Sequence, residues 1–425
     1  MPAPFSEPAA ARAFAHSVVD RLKTAGHEAF WAGGCVRDEL LGRIPADYDV
    51  ATSARPDQVR AVFGHRRTLA VGAAFGVITV VGPRAAGHVE VTTFRTDEAY
   101  TDGRHPAGVT FSSAREDAQR RDFTINGMFL DPVSGEVHDH VGGRDDLAAG
   151  IVRAIGVPAM RFGEDHLRML RAVRFAAAFG FVLEEETRLA IERMAHLVGN
   201  VSPERIAAEL RGMATRPGRR RAFELLDETG LAREVLVELA PPATAHEAWR
   251  QSARVVEALD EPSLATALAI FAEGREAAVL DRIVSRLRLS NREAKTAGWL
   301  LEAVADLGGA DEAELRRRPW SQIQPWIAHD DAYLLADVLR ARADHGRGVP
   351  AAAAWLTRQT ARPRDEIDPP PLVDGNDLLA AGVPAGRPIG EMLARLRGLQ
   401  LDGRIATRQE ALQWVRDGRP ERPAG

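Results

Sequence analysis

The hydrophobic periodicity of this 425-residue chain changes once, from about residue 122 onward, and that change limits the folds open to it. Before it, short apolar runs of strand length alternate with helical stretches. After it, apolar residues recur at helical spacing for most of the remaining chain. The spacing predicts a helix over 11–25, a strand over 28–32 running into Gly33-Gly34, and a helix over 36–41 stopped near Gly42 and Pro45. A strand is expected over 48–51 and a helix from Pro56, where proline suits a first turn. Two β-rich runs, 76–81 and 88–94, flank Gly82-Pro83 and Gly87 and read as a hairpin. Residues 95–108 mix glycine, proline and charge and are expected to form a mobile loop. A last β-like piece, 128–137, leads to Gly142-Gly143. Helices are then expected over 165–179, 185–197, 203–213, 219–228, 245–258, 263–271, 275–287, 292–306 and 331–342. Residues 362–371 read as a proline-rich linker. The reading is an α/β head followed by a long all-α body.

At this length two to four domains are expected. A hydrophobic content of 45% with 27% charged residues is ordinary for a globular protein. A net charge of −5 does not advertise a nucleic-acid binder, although a basic face can coexist with an acidic remainder. Lys23 and Lys295 are the only lysines, so arginine carries the positive charge, and arginine suits phosphate better. Cys35 is the sole cysteine, which excludes an intramolecular disulfide and a cysteine-based zinc site. The first residues lack a basic segment followed by an apolar core, and no run of about 20 apolar residues is free of charge. A cytoplasmic protein without a membrane span is the expectation. No oligomeric state is specified.

Asp47-Tyr48-Asp49 is the first constellation with chemistry in it. Alternate strand residues share a face, so the two carboxylates would lie side by side and could bridge hard divalent cations such as Mg²⁺. Two such ions can clamp the attacking and leaving oxygens of a phosphoryl transfer. Alone, an Asp-x-Asp pair more often decorates a solvated surface. Gly33-Gly34, between strand and helix, makes a backbone concavity suited to phosphate. Arg37, a turn later, could reach a triphosphate or simply pair with Asp38 or Glu39. Glu90 is either a third carboxylate beside the pair or a solvent-facing strand residue. Arg120 and Arg121 precede Asp122, an acid expected to orient them. Asp165, Arg168, Arg171 and Arg174 stand three apart, so each neighbours the next on the expected helix. A carboxylate beside an arginine offers the acceptors and donors that a base's Watson–Crick edge requires, and the further arginines suit phosphates. Intrahelical ion pairs on a solvated face are the competing reading.

GGCVRD (33–38), DYDVAT (47–52), VEVTTFR (89–95), DGRHP (102–106), RRDFTIN (120–126) and EDHLRMLRAVRF (164–175) occur in this order. That order and spacing resemble the class II tRNA nucleotidyltransferase and bacterial poly(A) polymerase family. The match is clear over 25–210, with weaker echoes at 286–293 and 375–393. The resemblance implies an α+β nucleotidyltransferase head with a polymerase β-like mixed sheet (1–150). An all-α neck (151–215), body (216–360) and tail (361–425) would follow, the neck reading the base and the tail meeting tRNA. It implies Mg²⁺ on Asp47 and Asp49; Glu90 stays a candidate third carboxylate from its place on the neighbouring strand. It implies nucleotide contacts from Gly34, Arg37 and Arg121, base reading by Asp165 and Arg168, and further nucleotide contacts from Arg171 and Arg174.

The activity implied is untemplated addition of CMP and AMP to the tRNA 3′ end from CTP and ATP, with pyrophosphate leaving. A polar pocket discriminates bases well because a wrong one leaves buried groups unpaired. The loop around 95–106 would correspond to the segment linked in this family to the switch from CTP to ATP. Alternatives are an A-adding or CC-adding relative, a bacterial poly(A) polymerase, or an inactive RNA-binding module. A poly(A) polymerase would be expected to carry a more basic tail, and the presence of Asp47, Asp49, Arg121, Asp165 and Arg168 speaks against the inactive module. Ala46, Tyr48 and Gly127 depart from the usual lysine, aliphatic or Phe, and alanine, and none removes a catalytic group. His329-Asp330 is isolated and reads as a surface pair, so no phosphohydrolase activity is expected.

Overall fold

The computed structural model describes residues 7–97, 108–240 and 246–417. It divides into two compact units, Met1–Arg250 with Arg286–Arg288, and Gln251–Ser285 with Leu289–Gly425. The first begins α1 (Pro8–Thr24), β1 (Ala29–Ala32), α2 (Gly34–Leu40), β2 (Asp49–Thr52), α3 (Pro56–Phe63), β3 (Thr68–Leu69), β4 (Val77–Val81) and β5 (His88–Thr93). It continues with β6 (Arg95–Asp97), β7 (Val109–Phe111), α4 (Ala114–Gln119), β8 (Phe129–Leu130), β9 (Val137–His138) and α5 (Gly143–Ala149). Then follow α6 (Pro158–Glu164), α7 (Leu167–Phe179), α8 (Glu185–Met194), α9 (Pro203–Thr215) and α10 (Arg219–Glu228).

The sheet runs β3-β4-β5-β2-β1-β8-β9. Only β2 and β5 run parallel; the other neighbours are antiparallel. All four residues of β1 are buried, as a central strand covered on both faces requires. Phe30 meets Phe94 and Phe129 on one face, with ring centroids 6.2 and 6.1 Å away. Trp31 points the other way, 4.9 Å from the ring of Tyr48. Helix α1 packs on β1 through Ala11, Ala15, Val18, Val19 and Leu22, an apolar stripe at helical spacing. The register places Ala32 beside Asp49, and Asp49 beside Glu90. Three strands therefore bring the Gly-Gly turn, the acidic pair and Glu90 to one rim.

Four expectations are corrected. The neck is helical but not wholly so, since Ile151–Val152 pairs in parallel with Val182–Leu183. Residues 95–108 are not loop throughout: β6 pairs with β7, whose Val109-Thr110-Phe111 suits a pleated surface. Residues 98–107, including the 102–106 motif, lie outside the described residues. The piece at 128–137 is two strands, β8 and β9, because Pro132 and Gly135 turn the chain back between them. The helix expected over 165–179 starts later. Asp165 is extended, at φ −147° and ψ 105°, between α6 and α7, and its own Oδ1 accepts from the Leu167 N–H at 3.1 Å. An aspartate that bonds its neighbouring backbone competes with the helix it would otherwise join.

Helix α7 is buried nearly all round, packing against α9 and α10. The second unit is helical. Leu264–Phe271 is wholly buried, and Asn291–Leu307 starts at a Ser290/Glu293 capping box. Within 362–371 a short helix, Arg364–Ile367, anchors Ile367 in the interior. The last three helices enclose a small core of Val373, Leu378, Leu396, Ile405 and Ala411. His329 and Asp330 are exposed, in a turn between helices, with the His329 ring stacked 4.0 Å from that of Trp299. Among the described residues no helix is long and apolar enough to cross a membrane.

Candidate active site

Strand alternation sets up the acidic wall. Asp47 is exposed and Asp49 half-buried on one face, while Tyr48 and Val50 are buried on the other. The Tyr48 hydroxyl donates to Glu39 Oε1 at 2.8 Å, and Arg12 Nε donates to the same oxygen at 2.9 Å. Tyrosine at this position thus ties the back of β2 to α2. On the site face Glu90 is exposed and lies opposite Asp49 in the parallel register. Burial, reinforced by the charges of Asp47 and Glu90, pushes the Asp49 carboxyl up to about 7 against the pull of Arg121. Asp49 thus sits among like charges that Arg121 only partly offsets, and such a set of hard oxygen donors fits a divalent cation. As the structure stands they share the rim without converging, and no other three Asp, Glu, His or Cys side chains converge among the described residues. Cys35 lies beneath Asp49. Burial, then the Asp49 charge, pushes its thiol up to about 12.

The facing wall is built of arginines, each held by an acid. Gly33, at φ +74°, lets Arg121 approach so closely that a Cβ would sit 3.0 Å from its Nη1. Asp117, fully buried on α4, holds both arginines of the RRD motif. Arg120 donates to Oδ1 from Nε and Nη2 at 2.9 and 2.8 Å, and Arg121 to Oδ2 at 3.2 and 2.9 Å. Burial alone would raise the Asp117 carboxyl, but Arg121 and Arg120 hold it below the usual carboxylate range. The expectation that Asp122 orients these arginines is therefore corrected. Asp122 Oδ2 instead accepts from Arg171 Nε and Nη2 at 2.9 and 2.8 Å, and Oδ1 from Asn126 at 3.1 Å. Burial opposes its charge, yet Arg171 and Asn126 bring its pKa down to about 2. The Asn126 side-chain oxygen in turn accepts from Arg37 Nη1 at 2.6 Å. Arg37 also holds Asp38 and lies 4.4 Å over the Phe179 ring. Much of its fork is already engaged, so it acts mainly as a fixed source of positive potential.

At the far end Arg205 clamps Asp165, donating to Oδ1 and Oδ2 at 3.2 and 2.7 Å. Arg168 holds Glu164 and donates to the Arg161 carbonyl at 2.9 Å. Arg174 Nε donates to Glu209 Oε2 at 2.5 Å. Its stem crosses α9 at Gly212, where a Cβ would come within 2.8 Å of Arg174 Cδ. The row at 168, 171 and 174 is helical as expected. Arg171 and Arg174 are held from distant parts of the chain, by Asp122 and Glu209, whereas Arg168 pairs with Glu164 four residues before it, at the end of α6.

Gly34, Arg37, Asp47, Asp49, Glu90, Arg121, Asp165, Arg168, Arg171 and Arg174 all line one cleft of about 570 Å³. Sequence reasoning missed the groups that hold them: Asp117, Asn126, Arg205 and Glu209, together with Arg216 on the cleft wall. Asp117 stands four residues before Arg121 on α4, a spacing that was there to be read. Nothing in a single sequence joins Arg205 to Asp165 or Glu209 to Arg174. Gly127, where alanine is usual, has a packing reason: a Cβ would meet Val141 Cγ2 at 2.7 Å. A cleft with carboxylates on one wall and arginines on the other suits a cation-bound polyanion, and the acid–arginine pairs at its end present both donors and acceptors.

Residues 29–153 match the family described as Poly A polymerase head domain, and residues 180–241 that described as Probable RNA and SrmB- binding site of polymerase A. The CCA-adding enzyme of Lactobacillus gasseri is 33% identical over 408 residues, 93% of this chain and 94% of that protein. The CCA-adding enzyme of Anoxybacillus flavithermus is 43% identical over 254 residues, 56% of this chain and 63% of that protein. The crystal structure of Bacillus stearothermophilus CCA-adding enzyme in complex with CTP aligns with a TM-score of 0.75 at 31% identity, covering 98% of both chains.

Proposed function

The chain belongs to the family of CCA-adding enzymes and bacterial poly(A) polymerases, and from that premise we propose that it completes the 3′ end of tRNA. The reaction is transfer of CMP and AMP from CTP and ATP, with release of pyrophosphate and without a nucleic-acid template. The observation that carries this reading is the joining, in one cleft, of the Asp47/Asp49/Glu90 rim to the acid–arginine end formed by Asp165 and Arg168.

Asp47 and Asp49 would hold the divalent cation, which we take to be Mg²⁺, with Glu90 as the third carboxylate of the set. Such a cation, when bound, activates the RNA 3′-hydroxyl and offsets charge on the triphosphate. The protein's own groups do the rest. Gly33-Gly34 leave room for a phosphate to approach the backbone, and Arg121, held by Asp117, faces it. Arg37, Arg171 and Arg174 supply fixed positive charge along the triphosphate and sugar. Asp165 and Arg168 meet the edge of the base: the carboxylate accepts from an exocyclic amine and the guanidinium donates to a ring nitrogen or carbonyl. Cytosine and adenine both present an amine beside an acceptor, whereas uracil presents carbonyls that flank a donor. The arginine–acid pairs keep these groups oriented before substrate arrives, so little reorganisation is needed during the reaction. We assign this chemistry to the head (1–150) and neck (151–215), and RNA contact to the body (216–360) and tail (361–425).

The experiment is to supply tRNAs ending before CCA, after C and after CC with CTP and ATP separately, then sequence the products. CTP alone should extend the first two to CC and stop. ATP alone should add one residue to the CC-ended tRNA only. A homopolymer of A, or a failure to add either C or A, would overturn the reading.

A further inference from the structure

Arg216 differs from the other arginines of the cleft. Arg37, Arg121, Arg168, Arg171 and Arg174 each hold a carboxylate. Arg95 and Arg120 are engaged as well. Arg216 lines the same cleft, is exposed, and has no hydrogen-bond or ion-pair partner among the described residues.

Its position is fixed by the backbone. Arg216 ends α9 in an extended conformation, at φ −98° and ψ 162°, as a residue before proline prefers. Gly218, at φ +78°, then seats the turn on α7 so tightly that a Cβ would fall 2.1 Å from the Ala177 carbonyl oxygen. The side chain thus projects from a turn anchored to the helix that carries Arg171 and Arg174. The like charge is felt there: burial first, and then Arg171 and Arg216, hold the Arg174 guanidinium below its usual value despite Glu209. A protein that keeps an uncompensated guanidinium beside a buried one gives up stability, a pattern common at binding sites. An anion entering the cleft would relieve it.

We propose that Arg216 is a binding residue for the triphosphate of the incoming nucleotide, its guanidinium donating to non-bridging phosphate oxygens. The inference rests on the nucleotidyltransferase reading of the cleft. A planar fork matches two phosphate oxygens. A triphosphate carries more negative charge than an RNA phosphodiester, so it gains more from a guanidinium that no carboxylate among the described residues neutralises. The contact carries no base information and serves CTP and ATP alike.

Binding of CTP, ATP and inorganic triphosphate to Arg216→Ala, in Mg²⁺ and without RNA, tests this. All three should weaken by a similar factor, roughly tenfold, the loss of one charge-assisted hydrogen bond. The CTP-to-ATP ratio and the tRNA dissociation constant should be unchanged, and the nucleotide-free melting temperature equal or higher. Arg216→Lys should recover part of the affinity as a point charge. Unchanged triphosphate binding would overturn the proposal. So would a loss confined to tRNA, which would make Arg216 an RNA-backbone contact, or a lowered melting temperature with every affinity reduced together. If wild-type protein adds neither C nor A, yet triphosphate binding still depends on Arg216, the functional reading fails and this inference stands.

Discussion

Asp165 accepts both arms of the Arg205 guanidinium, at 3.2 and 2.7 Å, although the two residues are 40 positions apart and neither lies in the other's helix. Asp165 is extended and has no helical backbone to hold it, so its side chain is aimed by that fork. Arg205→Ala should lower kcat/KM for both CTP and ATP by about tenfold to a hundredfold, and Arg205→Lys should rescue little because an ammonium cannot form the fork. Steady-state kinetics on a CC-ended and a C-ended tRNA check this. Full rescue by lysine would mean charge alone suffices.

Arg168 should carry selectivity. Its guanidinium is buried and already bonded to Glu164 and the Arg161 carbonyl, which fixes the donors it presents. Arg168→Ala should reduce the preference for CTP over UTP by at least about tenfold, since a polar site discriminates through the groups a wrong base leaves unpaired. The kcat/KM ratio for the two nucleotides is the readout. An unchanged ratio removes Arg168 from base recognition.

Glu90 is the third carboxylate of the proposed set, opposite Asp49 on the neighbouring strand. Glu90→Gln keeps its shape and removes its charge. The Mg²⁺ concentration giving half-maximal CMP addition should rise about tenfold or more, with the nucleotide KM at saturating Mg²⁺ little altered. An unchanged Mg²⁺ requirement would return Glu90 to the role of a solvent-facing strand residue.

The Asp122–Arg171 pair predicts a pH window for stability. The Asp122 carboxyl is depressed to about 2 in the folded state, from an ordinary value near 3.8. A depressed acid stabilises the fold above its unfolded pKa, and that contribution is lost as pH falls through the folded pKa. It should amount to about 2 kcal/mol at neutral pH and decline between roughly pH 4 and pH 2. Urea unfolding of the wild type and Asp122→Asn should differ at pH 7, with the gap shrinking as the pH approaches 2. A gap that is constant with pH would mean the ion pair is not its source.

The elements that carry the cleft were legible because their signals are local. Alternation around Asp47-Tyr48-Asp49 puts two acids on one face, and the 168–171–174 spacing puts three arginines along α7. What sequence could not supply was the partner of each charge. Asp122 follows Arg120 and Arg121 directly, yet Asp117 holds both, because α4 sets it one turn earlier, buried between them. The same local chemistry misplaced the start of α7: Asp165 reads as a helical residue by spacing, but its side chain caps the Leu167 N–H. Arg216 showed nothing by spacing at all. It matters because, among the described residues, the other arginines that line the cleft are already engaged, a property of the folded cleft.

If the Asp47/Asp49 pair is the catalytic metal site of a nucleotide-adding enzyme, Asp49→Ala should abolish nucleotide addition and spare the fold. Asp49 is half-buried with its charge opposed by Asp47 and Glu90, so removing it should leave the metal-free protein at least as stable. Single-turnover incorporation of CMP into a tRNA lacking CCA should fall by about a thousandfold or more, while the tRNA dissociation constant and the melting temperature hold. Incorporation at the wild-type rate in that folded, tRNA-binding variant would contradict the account.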